Sequence, residues 1–137
     1  MLGNLFNELQ IIAVMPSIQL SGDLNMHYEI DDFTDPWKSA ETILMLHGNC
    51  ESGKVWFGWV PHLARRYRVA RVDLRGFGRS TPMPANYKWD MARLLDDLAG
   101  VIGYLGCSKV HLIGAKSGGS MVLTMAARKP ELVRSVV

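Results

Sequence analysis

The 137-residue chain has only two cysteines, Cys50 and Cys107. Neither belongs to a C-x-x-C pair, which excludes a metal knuckle and a disulfide framework. Two such thiols in an ordinary core read as reduced, unreactive and partly buried, and they suggest a cytoplasmic protein. No run of about 18 apolar residues is present, so no membrane span is expected. The N-terminal stretch MLGNLFNELQIIAVMPSIQL has no basic residue before its short apolar part and contains Glu8, so it makes a poor signal peptide. Charge of one sign is also scarce. The net charge is +2 and the basic residues form no stripe, so nucleic acid is not an expected partner. Internal repeats, low-complexity tracts and metal-ligand spacings are missing too. Neither a metal nor a cofactor is expected.

What remains is an ordinary globular composition, 48% apolar and 20% charged, enough for one domain with a real core. Residues 1–14 read as an N-terminal extension, and Met15-Pro16 opens the domain, which would run over 15–137. Ser17 to Leu20 and Leu24 to Ile30 predict two strands around the turn residues Ser21-Gly22-Asp23. TILMLHG (42–48), RVARVD (68–73) and VHLIGA (110–115) are apolar runs of the kind buried on both faces. Helical periodicity predicts helices over 54–67, 89–105 and 118–128. VRSVV begins a further strand. Strands alternating with helices require parallel pairing through crossovers, hence an α/β layered sheet, mostly parallel, opening with an antiparallel hairpin. Sites in such sheets form at the carboxyl ends of the strands. Here those ends are His47-Gly48-Asn49, Asp73 and Gly114-Ala115-Lys116.

Two motif readings compete at those ends. GNCESGKV, residues 48–55, nearly matches the phosphate loop G-x-x-x-x-G-K-[ST], with Asp73 as a magnesium-side acid. Position 55 is Val, however, and an isopropyl group cannot ligate a hard cation. The second reading uses LMLHGN, then DLRGFGRS (73–80), then HLIGAKSGG (111–119). In order, spacing and context these resemble the α/β-hydrolase superfamily, from about Pro16 to Val137. The resemblance implies that the HG turn lends a backbone amide to an oxyanion hole, that 73–80 is a structural loop beside the pocket, and that GAKSGG stands for the nucleophile elbow G-x-S-x-G-G. HGN before an aromatic helix is also similar to the haloalkane dehalogenase branch.

The elbow glycines have physical tasks. Gly114 and Gly118 flank a tight strand-to-helix turn where a β-carbon would collide with backbone. Gly119 is expected to let the helix pack close to the sheet, and Gly48 forms the opposite turn. Register from both sides puts Lys116 at the elbow. Acylating its amine would give an amide, a dead end for a hydrolase, although an amine can react with aldehydes and ketones. Ser117 becomes the nucleophile if the stretch is read as the A-x-S-x-G variant found in some lipases. Otherwise Ser117 supplies the second oxyanion amide beside Asn49. Lys116 and Ser117 are therefore both candidate catalytic residues.

A serine triad also needs an acid and a histidine, which follow the elbow in this superfamily. After Gly119 there is no histidine. His27, His47, His62 and His111 read as structural or exposed. The resemblance makes the chain the N-terminal half of a hydrolase core, truncated after the elbow helix, with self-association or a complementing C-terminal half as possible partners. The expected function is hydrolysis of a small ester or lactone, the partner being a small-molecule carbonyl substrate. The alternative is a non-catalytic protein of the same fold, or an inactive fragment.

Overall fold

The computed structural model describes residues 16–137. The expected extension over 1–14 lies outside the described residues. β1 (Ser17–Ser21) and β2 (Leu24–Asp31) form the antiparallel hairpin that the turn residues predict. β3 (Thr42–Leu46), β4 (Arg68–Val72), β5 (Val110–Gly114) and β6 (Val133–Val136) extend it into a sheet of six strands, in the order β1-β2-β4-β3-β5-β6. β2 meets β4 antiparallel, and the pairings β4/β3, β3/β5 and β5/β6 are parallel. The α/β layered sheet with an antiparallel opening is thus what these residues build.

Both faces of β3 are covered, which is why its sequence is apolar without alternation. Leu44 and Leu46 join the core beneath α2 (Met91–Tyr104) and α3 (Ser117–Arg128), with Leu98, Ile102 and Val122. Ile43 and Met45 point the other way, against Trp56, Val60 and Ala64. Asp90 caps α2 by accepting from the Ala92 amide at 3.1 Å. None of the helices among the described residues is long and apolar enough to cross a membrane.

The helix expected over 54–67 takes a different form. Gly53–Trp59 is a 3-10 helix, followed by the short α1 (Val60–Leu63). Pro61 has no N–H to donate to a preceding turn, and Gly58 and the aromatic residues add little helix propensity. Trp56, Val60 and Ala64 still bury one face, but Trp59 is half exposed. One of the two cysteines also departs from the expected partial burial. Cys107 is half-buried beside the Thr42 hydroxyl, but Cys50 is exposed.

Two buried arginines tie the sheet to its loops. Arg71 on β4 grips Asp31 and Glu29 of β2 at 2.8 and 2.7 Å. Arg75 makes a bidentate pair with Asp97 of α2 at 2.7 and 2.8 Å, and reaches Asp23 in the hairpin turn at 3.1 Å. Those partners hold the Arg75 guanidinium well above its already high ordinary pKa, the Asp97 hydrogen bonds contributing most. The Asp97→Ala variant strands a buried guanidinium. It should lose about 3–5 kcal/mol of stability in urea unfolding, and Arg75→Met with Asp97→Leu should lose less.

Candidate active site

The carboxyl ends of β3 and β5 meet at the start of α3. Lys116, the last residue before α3, has φ 54° and ψ −121°, left-handed backbone that a side chain adopts only under constraint. The constraint is close packing. A β-carbon on Gly118 would lie 2.5 Å from the carbonyl oxygens of Leu46 and His47, and one on Gly114 would lie 2.5 Å from that of Gly118. The chain therefore reverses tightly between these two glycines. Gly119 departs from expectation. A β-carbon there would meet nothing nearer than the Gly114 oxygen at 3.5 Å, an ordinary contact.

The opposite turn follows β3. His47 is fully buried. The Leu74 amide donates to its Nε2 at 2.9 Å, so Nδ1 carries the proton and donates to the Gly48 carbonyl at 2.7 Å. This single tautomer clamps the turn to the end of β4. Cys50 has a φ of 59°, a second left-handed position that sharpens the turn. Glu51 closes it by accepting from the Gly48 amide at 2.9 Å.

Glu51 also pairs with the Lys116 ammonium across the gap between the turns. The Lys116 stem lies flat on Gly48, where a β-carbon would come within 2.8 Å of its Cβ and Cδ. The Lys116 side chain is exposed. The ammonium and then the Gly48 amide hold the Glu51 carboxyl below the ordinary glutamate range. An amine held as an ammonium in an ion pair carries no lone pair for attack.

Ser117 opens α3, half-buried, and its hydroxyl donates to the Asn49 side-chain oxygen at 3.0 Å. Among the described residues, no acceptor lies within hydrogen-bond reach of the Asn49 or the Ser117 amide. Both residues line a pocket of about 410 Å³, together with Cys50 and Ser120 on its polar side. The apolar side is Leu74, Phe77, Trp89, Met91, Leu94 and Met121. The structure thus brings together Gly48, Asn49, Gly114, Lys116, Ser117 and Gly118. The histidines lie apart from the pocket lining. His27 is buried and His62 exposed, and His111 sits between Ser135 and Glu41 at 2.8 and 3.0 Å.

The phosphate-loop alternative does not survive this geometry. The Gly53 amide donates to the Asp73 carboxylate at 2.7 Å and the Gly48 amide to Glu51, so carboxylates occupy donors a phosphate would need. Asp73 is buried and also accepts from the Arg79 amide at 2.8 Å, which makes it a loop anchor. Glu51 itself escaped the sequence reading. Its signal was an acid in the turn facing a lysine at the elbow, masked by the apparent phosphate loop.

A sequence profile of the alpha/beta hydrolase fold matches residues 41–137, which include both turns and the elbow. The chain belongs to the α/β-hydrolase family. It is 36% identical over 95 residues to a pimeloyl-[acyl-carrier protein] methyl ester esterase of Aeromonas hydrophila subsp. hydrophila, covering 69% of this chain and 35% of that one. It is 35% identical over 99 residues to a 2-hydroxymuconate semialdehyde hydrolase of Pseudomonas sp., with 69% and 34% covered. Among solved structures, an enol-lactonase from Burkholderia xenovorans LB400 superposes with a TM-score of 0.78 at 25% identity, over 88% of this chain and 45% of that one. This α/β-hydrolase chain thus spans about a third of the length of the two curated relatives, at 35% and 34%.

Two measurements check the geometry. Gly118→Ala forces a methyl into the Leu46 and His47 carbonyls and should cost about 1–3 kcal/mol in chemical unfolding. Carbon-13 NMR of the Glu51 carboxyl should titrate below the ordinary glutamate value of 4.5, and Lys116→Met should bring it back up. What the pair adds to folding is present above that ordinary value and fades as pH falls through the lowered one.

Proposed function

We propose that the chain carries the oxyanion side of a hydrolase site for a small ester or lactone. The observation that carries this reading is a pair of amides, on Asn49 and Ser117, without partners among the described residues and beside one pocket. A carbonyl oxygen between them gains hydrogen bonds that strengthen as negative charge develops, aided by the positive end of α3. Lys116, not Ser117, holds the elbow, so the shifted A-x-S-x-G register is not adopted. Ser117 is the reacting hydroxyl in this reading, one residue past the elbow, because it lines the pocket and Lys116 does not. Lys116 occupies the elbow backbone and braces the two turns through its ion pair with Glu51. The esterase and lactonase names among the relatives support the substrate class.

A second reading, ligand binding without turnover, is favoured by one contact. The Ser117 hydroxyl donates to an amide oxygen, which is no base, so nothing within that contact activates it.

A chromogenic short-chain ester and a fluorophosphonate probe separate the two. Under the first reading the protein turns the ester over and is labelled at Ser117. Ser117→Ala then abolishes both, and Lys116→Ala slows turnover roughly tenfold. Absence of turnover and labelling, with ester still bound, leaves the second reading.

A further inference from the structure

We infer that the pocket beside the elbow takes an uncharged ligand with a flat, apolar body and rejects one that bears a carboxylate on that body. This rests on the proposed carbonyl site and names its ligand class. Arg75 is the one charged residue on the pocket wall among the described residues, and at first sight it offers an anchor for an acid. Its guanidinium is not available. The Arg75 side chain exposes none of its surface. An arginine has five N–H donors. Here Nε and one Nη2 donor go to Asp97, and the other Nη2 donor meets the Ser21 hydroxyl. The two Nη1 donors reach Asp23 and the Met83 sulfur. With every donor engaged, and two carboxylates already compensating the charge, a ligand anion gains nothing there.

The other charges near the elbow are paired as well, and none of them lines the pocket. Lys116 and Glu51 neutralise each other away from the lining. Asp73 is held by the Gly53 and Arg79 amides. Arg93 pairs with Asp23 at 2.7 Å. An anion entering the apolar side would lose its hydration without a replacement partner.

The same side is shaped for a ring. Phe77 and Trp89 stack at 6.1 Å with planes 28° apart, and Tyr87 props the indole edge-on at 5.0 Å. Gly76, at φ 80°, admits the indole, since a β-carbon there would come within 3.1 Å of its outer edge. Trp89 nevertheless keeps 53% of its surface exposed, which leaves aromatic surface for a ligand. A volume of about 410 Å³ suits a compound of one ring and a short arm.

Calorimetric titration of the protein with three matched probes tests this. Acetophenone offers a ring and a carbonyl, 4-acetylbenzoate adds a carboxylate to the ring, and ethylbenzene removes the carbonyl. Acetophenone should bind at least roughly tenfold tighter than 4-acetylbenzoate. Trp89→Ala should weaken it by roughly two- to tenfold, and Trp89→Phe, which keeps a ring, by less. Equal or tighter binding of 4-acetylbenzoate overturns the inference, as does acetophenone binding indifferent to both Trp89 variants. Equal binding of ethylbenzene and acetophenone, with 4-acetylbenzoate still rejected, supports the ligand class and instead removes the carbonyl site proposed above.

Discussion

The contact of Gly118 with the end of β3 governs the rest of the site. A bare α-carbon lets the first turn of α3 rest against the Leu46 and His47 carbonyls. That approach leaves no room for a gradual bend out of β5, so the reversal is compressed into residues 114–118. Lys116 absorbs it as left-handed backbone, at a cost of about 1–3 kcal/mol that the surrounding packing must hold. The same approach brings the Ser117 amide beside the turn that carries the Asn49 amide, both without an acceptor among the described residues. The shape of the candidate site and its backbone strain therefore come from one close approach rather than from side chains chosen singly.

Charges around the site are arranged to satisfy one another. Arg71 serves β2, Arg75 serves α2 and the hairpin turn, and Glu51 serves both the elbow and the turn after β3. Each ion pair joins segments distant in sequence and occupies its own charge, that of Arg75 on the pocket wall included. His47 does the same work without charge, its ring joining the ends of β3 and β4 through one proton donated and one accepted. The pocket is left with the uncharged polar groups of Asn49, Cys50, Ser117 and Ser120 and an apolar wall. That division lets the polar frame be rigid without making the cavity polar.

Much of the fold was legible because its signals are local. Apolar runs at 42–46, 68–72 and 110–114 mark strands covered on both sides, and glycine spacing marks the elbow whatever residue stands at 116. Lys116 at the tight turn follows from the same spacing. The helix over 54–67 was misread because apolar periodicity says which face is buried but not which helical form is used, and Pro61 decides the latter. Gly119 looked like Gly118 in sequence, yet only Gly118 is pressed against backbone. Glu51 and Arg75 were hidden for a different reason. Their roles depend on partners 65 and 22 residues away, a separation that no local pattern encodes.

The lysine stem resting on Gly48 couples two positions that would otherwise look independent. With lysine at 116, a methyl at 48 would meet aliphatic carbons at 2.8 Å. With a short side chain at 116 the Cδ is gone, yet the Cβ at 2.8 Å and a Glu51 carboxylate oxygen at 3.0 Å remain in the way. Position 48 thus answers to any side chain at the elbow, however short. Enlarging residue 48 closes the route by which an elbow side chain is accommodated, whereas shortening residue 116 removes only part of the obstacle.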